Sequence, residues 1–182
     1  FRGDGVTKPL GFLGAPGTIS VAKESGQAAN TVLAENILKM WGRRIAGQTT
    51  DNLVWTMNQE VEAVLPKMVL GTGGNSALTY MPAGGLSGAP YATLMGRPII
   101  TTEFNSGLGT KGDIALCDFK QMLSISKGGL REEMSTDVEF LRDLKCFKFT
   151  MRLDAKPADD KAITPYQGTA TQSAFIVLDT RA

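Results

Sequence analysis

The sequence contains no histidine. That absence removes Ser-His-Asp and Cys-His catalysis, His-ligated zinc and the commonest general base near neutral pH. Cysteine is scarce too, with only Cys117 and Cys146 and no C-x-x-C spacing. Both read as reduced core thiols of a protein made in the cytoplasm, a disulfide between them remaining open. No apolar run approaches the roughly 18 residues of a membrane-spanning helix. The opening FRGDGVTKPLGFLG does not read as a signal peptide, and no membrane partner is expected. An excess of either charge is also missing, 19 Lys and Arg standing against 18 Asp and Glu. A chain that grips nucleic acid through its phosphates normally carries a clear basic excess or stripe. The only basic run noted, Gly42 to Arg44, is too short and suits the negative end of a helix instead.

The 182 residues suffice for one domain with a real core, or one domain with an appendage. Residue 1 is Phe and the chain opens inside a turn-like run, which reads as a fragment of a longer protein. Thr18 to Ala22 reads as a strand. A helix follows, capped by Asn30 or Thr31, with Leu33, Ile37, Met40, Trp41 and Ile45 on one face and Gly47 as its stop. Asn52 to Asn58 reads as a buried strand, and Asn58 as the cap of a short helix ended by Pro66. Val69 to Pro98 is rich in glycine and reads as a long functional or interfacial loop. Strands are expected at Ile99 to Thr102, Ile114 to Phe119, Gln121 to Ser126 and Ala174 to Leu178. Phe147, Phe149, Met151 and Leu153 alternate with Lys148, Thr150, Arg152 and Asp154, the pattern of a half-buried strand. Two early helices and several late strands indicate an α+β fold.

Gly107 to Gly112, GLGTKG, matches G-x-G-x-x-G, but the DIALCDF behind it reads as strand where a dinucleotide site needs a helix. A hairpin is the expected structure. GTGGNSA lacks the Lys-Ser/Thr pair of a phosphate-binding loop. The carboxylate pairs Asp113 with Asp118, Glu132 with Glu133 and Asp159 with Asp160 read as solvated surface, with oxygen-only metal binding as the minor alternative. Trp41, Trp55, Tyr80 and Tyr91 read as core or interface anchors, since basic residues do not interleave them as base-stacking would require.

Four runs carry a resemblance: MNQEVEAVLPKMVL, LTYMPAGGLSGAPYATLMGRPIITTEF, LGTKGDIALCDFKQML and TPYQGTATQSAFIVLDTR. In this order they resemble the C-terminal half of tailed-bacteriophage major capsid proteins, the Hong Kong 97 fold. GDGVTKPLGFL is similar to the turn after that family's long spine helix. The resemblance implies an axial domain plus part of a peripheral domain. Residues 1–27 would be the connection after the spine helix, 28–133 and 172–182 the axial domain, and 134–171 the peripheral strands and loop. The N-terminal arm and extended loop would precede Phe1.

The implied function is a head protein that self-assembles into an icosahedral shell around double-stranded DNA, without enzymatic activity or cofactor. Hexamers and pentamers of itself, with scaffold, portal and decoration proteins, are the implied partners, and DNA is enclosed without sequence-specific binding. The location would be the virion, after synthesis in the bacterial cytoplasm. Pro98 would set the entry angle of a core strand and hold Arg97 extended, so that Arg97, Tyr80, Tyr91 and Leu86 are candidate subunit-interface residues. Some members crosslink through a Lys on the extended loop and an Asn on the peripheral strand. Val138 to Ala155 holds no Asn, so no crosslinking residue carries over. The alternatives are an encapsulin-type compartment shell and a nucleotide-binding enzyme using the Gly-rich loops.

Overall fold

The structure is a computed structural model and describes residues 1–47, 50–65, 68–70, 77–78 and 93–181. Its frame is a six-stranded mixed sheet, so the α+β expectation holds. Along the chain come β1 (Ile19–Val21), α1 (Ala34–Gly42), β2 (Leu53–Met57) and α2 (Gln59–Glu62). The short pairs β3 (Val69–Leu70) with β4 (Ala77–Leu78) and β5 (Thr93–Leu94) with β6 (Arg97–Thr101) follow. Next are β7 (Ile114–Asp118), β8 (Met122–Ser126), β9 (Arg131–Ser135), β10 (Cys146–Thr150), β11 (Leu153–Pro157) and β12 (Phe175–Leu178). The large sheet runs β1-β12-β7-β2-β6-β5, with β1 parallel to β12 and β2 parallel to β6.

Both faces of this sheet are covered, which explains why β7 and β12 are apolar at nearly every position. One face packs Trp55, Met57, Ile114, Leu116, Ile176 and Leu178 against Ile37 and Met40 of α1 and Val61 of α2. The other face packs Ala115, Cys117, Phe175 and Val177 against Phe12 from the opening segment. Phe12 stacks on Phe175 at 5.4 Å, and Phe1 lies 5.1 Å from Phe12. The opening segment is therefore part of the core. Its loop is organised by Asp4, whose carboxylate accepts from the Thr7 hydroxyl at 2.7 Å and from the amides of Val6, Thr7 and Lys8. These bonds, the Thr7 hydroxyl first among them, hold the Asp4 carboxyl well below its ordinary pKa.

Several local expectations are corrected. Helix α1 starts after Leu33; Asn30 instead takes a left-handed φ of 56°, and the Asn36 side chain accepts from the Leu33 amide at 3.0 Å. The helix ends at Gly42, before Gly47, and Arg43 and Arg44 lie just beyond it. Arg44 stacks 4.4 Å over the Trp41 ring while donating to the Trp41 carbonyl at 2.8 Å. Asn58 caps α2 as expected, accepting from the Glu60 amide at 3.0 Å.

The Gly-Arg-Pro segment is the return of a tight hairpin, not a loop feeding a strand at Ile99. Leu94 opposes Arg97, and Met95 and Gly96 between them both have positive φ, 52° and 73°. Two positive φ values in a two-residue turn define the type I′ geometry that Asn-Gly prefers. Met95→Asn should therefore stabilise the chain by about 0.5–1 kcal/mol, since Met carries the left-handed penalty. A rise in the urea midpoint with unchanged slope would verify this; no rise would mean the turn geometry is not as described.

GLGTKG is not a hairpin of adjacent strands. It carries the chain from β6 to β7 across β2, which lies between them. Gly109 and Gly112 have φ of 85° and 84°; a Cβ at Gly109 would meet Asn30 Oδ1 at 2.0 Å, and one at Gly112 would meet Leu13 at 2.4 Å. Both positions need glycine for backbone reasons unrelated to a nucleotide.

Candidate functional site

The remaining strands leave the sheet. β8 pairs antiparallel with β11, and β9 with β10, giving a two-stranded ribbon over 122–157. Its base is tied to the sheet domain where the Leu10 amide donates to the Ala155 carbonyl at 2.9 Å and the Ala158 amide to the Gln121 carbonyl at 2.8 Å. Its far end, residues 136–145, includes a 3₁₀ turn at Phe140–Arg142 and a left-handed Asp143. Strand β9 was not foreseen: its REEM pattern reads as surface, and Glu132 and Glu133 are indeed exposed, but on a strand.

The alternating pattern at Phe147 to Leu153 is split between two strands, β10 and β11, and neither face of the ribbon is buried within the described chain. Phe147 is 55% exposed and Phe149 60%, with Leu123, Ile125, Met134, Met151 and Leu153 also open. At the far end Phe140 is 76% exposed and Leu141 99%. Because the ribbon has only two strands, each also presents an outer edge that no other strand among the described residues pairs with, the Leu10–Ala155 bond at the base aside. A soluble monomer rarely leaves so continuous an apolar surface uncovered.

Of the proposed interface residues, Tyr80, Leu86 and Tyr91 lie outside the described residues. Arg97 pairs within the chain, its guanidinium 3.0 Å from Asp51 Oδ1. Asp51 is three-quarters exposed, so this is a surface pair worth at most about 1 kcal/mol. Trp55 is a core anchor, fully buried and donating its indole N–H to the Leu94 carbonyl at 2.9 Å; Trp41 is half-buried and stacks on it.

Asp113 and Asp118 are not solvated. Both are buried, in different environments. Asp118 accepts from the Lys120 amide at 3.0 Å. Asp113 forms a fully buried ion pair with Arg181 and also accepts from the amides of Gly109 (3.0 Å) and Ile114 (2.8 Å). Arg181 donates in addition to the Thr31 carbonyl at 2.7 Å, and its own amide bonds the Gly109 carbonyl. This clasp joins the loop before α1, the GLGTKG crossing and the segment after β12. Every polar group in it is structurally engaged, so it offers no vacant chemistry. Among the described residues no group of three or more Cys, Asp and Glu could hold a metal ion.

Both cysteines are free thiols. Burial pushes the Cys117 thiol up to about 12, whereas Cys146 at the start of β10 is part-exposed. Native protein should therefore take up one equivalent of a thiol reagent quickly, and the second only on denaturation. Rapid labelling of both would show that β7 is not buried.

The comparisons with known proteins bear on this architecture. The phage capsid family matches residues 1–168. The chain belongs to the phage capsid family. Two solved capsids share its fold: the capsid of the empty GTA particle computed with C5 symmetry (TM-score 0.68, 19% identity) and that of the native GTA particle (TM-score 0.69, 20% identity). Each match covers the whole of this chain and 60% or 59% of the other, so this capsid-family chain spans about three-fifths of those proteins' length. No curated protein matches the sequence.

Proposed function

We propose that the protein is a major capsid subunit that assembles with copies of itself, as hexamers and pentamers, into an icosahedral shell enclosing double-stranded DNA. The observation that carries this reading is the ribbon over 122–157, apolar on surfaces that nothing in the described chain covers, on a chain of the phage capsid family. The role is structural, without catalysis or cofactor. The match to the phage capsid family supports it over an encapsulin-type compartment.

The sheet is the axial domain and the ribbon the peripheral one. Their boundary is put near Met122, a choice supported by the pairing of β8 with β11 and β9 with β10, since a division between 133 and 134 would cut through β9. Arg97, with Tyr80, Leu86 and Tyr91, belongs to the contact between neighbouring axial domains. Scaffold, portal and decoration proteins are further partners of the shell, which is made in the host cytoplasm and ends in the virion.

Expression of the complete coding sequence, followed by electron microscopy, tests the reading. Closed shells of uniform diameter are the expected result. Soluble monomers at high protein concentration, across a range of salt and pH, would count against it. The 182-residue chain alone should give monomers or small oligomers.

A further inference from the structure

The ribbon has one irregular point, halfway along. Ser126 opposes Leu153 and Arg131 opposes Thr150, so residues 127–130 face only 151–152, two extra residues on one strand. The extra length is a Gly128-Gly129 bulge, with Gly128 at a φ of 74° and open space where either Cβ would stand. The bulge borders a cavity of about 310 Å³ lined by Lys127, Gly128, Gly129, Arg131, Thr150 and Arg152.

Three of these six residues are cationic and none is acidic. The ion pairs formed by the described residues include none of Lys127, Arg131 and Arg152. The amides of Gly128 and Gly129 donate to no backbone carbonyl. The next charged pair along the same ribbon face, Lys148 with Glu133 at 3.7 Å, compensates itself. Three unbalanced cations repel one another, and a bound oxyanion relieves that repulsion while accepting from the free amides and guanidinium forks.

We propose that the Gly128-Gly129 bulge is a phosphate-binding site, whose source of phosphate is the backbone of nucleic acid. The cavity's chemistry carries the phosphate assignment; only the choice of DNA as source rests on the shell reading. Three contacts give a weak, salt-sensitive hold, compatible with a chain of nearly neutral net charge.

The test uses the unassembled 182-residue chain, a short labelled DNA duplex and inorganic phosphate, across a salt series. Three phosphate contacts predict a slope of log K against log salt of about −2.7. Arg131→Gln with Arg152→Gln should weaken duplex binding at least about tenfold and reduce that slope by about 2. A control double variant, Lys120→Gln with Lys161→Gln, removes the same charge elsewhere and should change affinity less than about twofold. Inorganic phosphate should compete with the duplex. Equal losses in both double variants, or no binding of either ligand, would overturn the site. Phosphate binding without duplex binding would overturn DNA as its source, while shell formation by the complete protein remains a separate readout. Loss of self-association in the arginine variant without any anion binding would instead assign the cations to carboxylates of a second copy.

Discussion

Arg181→Ala should destabilise the chain by about 3–5 kcal/mol, the cost of stranding one member of a buried ion pair. Asp113 would remain enclosed, with the Gly109 and Ile114 amides as partners but no countercharge. A domain of this size has about 5–15 kcal/mol in total, so the loss removes a large share of it. With a urea slope of about 2 kcal/mol/M, the midpoint should fall by about 2 M. Asp113→Asn combined with Arg181→Met should cost less than the sum of the two single changes, because no unpaired charge is then buried. Additive single losses would mean that the pair is not coupled and the clasp is misassigned.

The second large effect concerns assembly and should leave folding alone. Phe140→Ser with Leu141→Ser changes two side chains that are 76% and 99% exposed in the isolated chain. Their removal costs the isolated chain little, so its unfolding free energy should stay within about 0.5 kcal/mol of the parent's. In the complete protein the same change should abolish closed shells or raise the assembly threshold at least about tenfold, because interface anchors of this kind contribute about 2 kcal/mol or more each. Normal shells from the double variant would show that the ribbon's far end is not an assembly contact.

The sheet was largely legible in the sequence because its strands are short, apolar and bounded by polar or Gly-rich turns. Thr18 to Ala22, Asn52 to Asn58, Ile114 to Phe119 and Ala174 to Leu178 all contain strands of the sheet. What the sequence concealed is governed by contacts distant in the chain. Asp113 and Arg181 are 68 residues apart, and nothing local distinguishes a buried Asp from a solvated one. The Met95-Gly96 turn was hidden because Met replaces the Asn that usually signals type I′ geometry. β9 was hidden because its Glu132 and Glu133 look like a solvated loop, which they would be if β10 were not beside them.

For the site, alternation at Phe147 to Leu153 marked extended chain, but as one half-buried strand, where the structure has the ends of two strands, β10 and β11, and no core over either face. Alternation reports that a face is to be covered, and does not say by which molecule. On the proposed shell reading the cover would come from other chains, which is how a core-like pattern comes to stand on an exposed ribbon. The register change at Gly128-Gly129 could not be read either, since it needs the pairing of both strands.

The most direct test of this account is hydrogen exchange over residues 122–157 of the complete protein, before and after assembly. The free edges and uncovered faces of the ribbon predict rapid exchange in unassembled subunits and strong protection once shells have formed, while β7 and β12 stay protected in both states. Shells in which the ribbon exchanges as fast as in free subunits would contradict the claim that this ribbon is where copies of the chain meet.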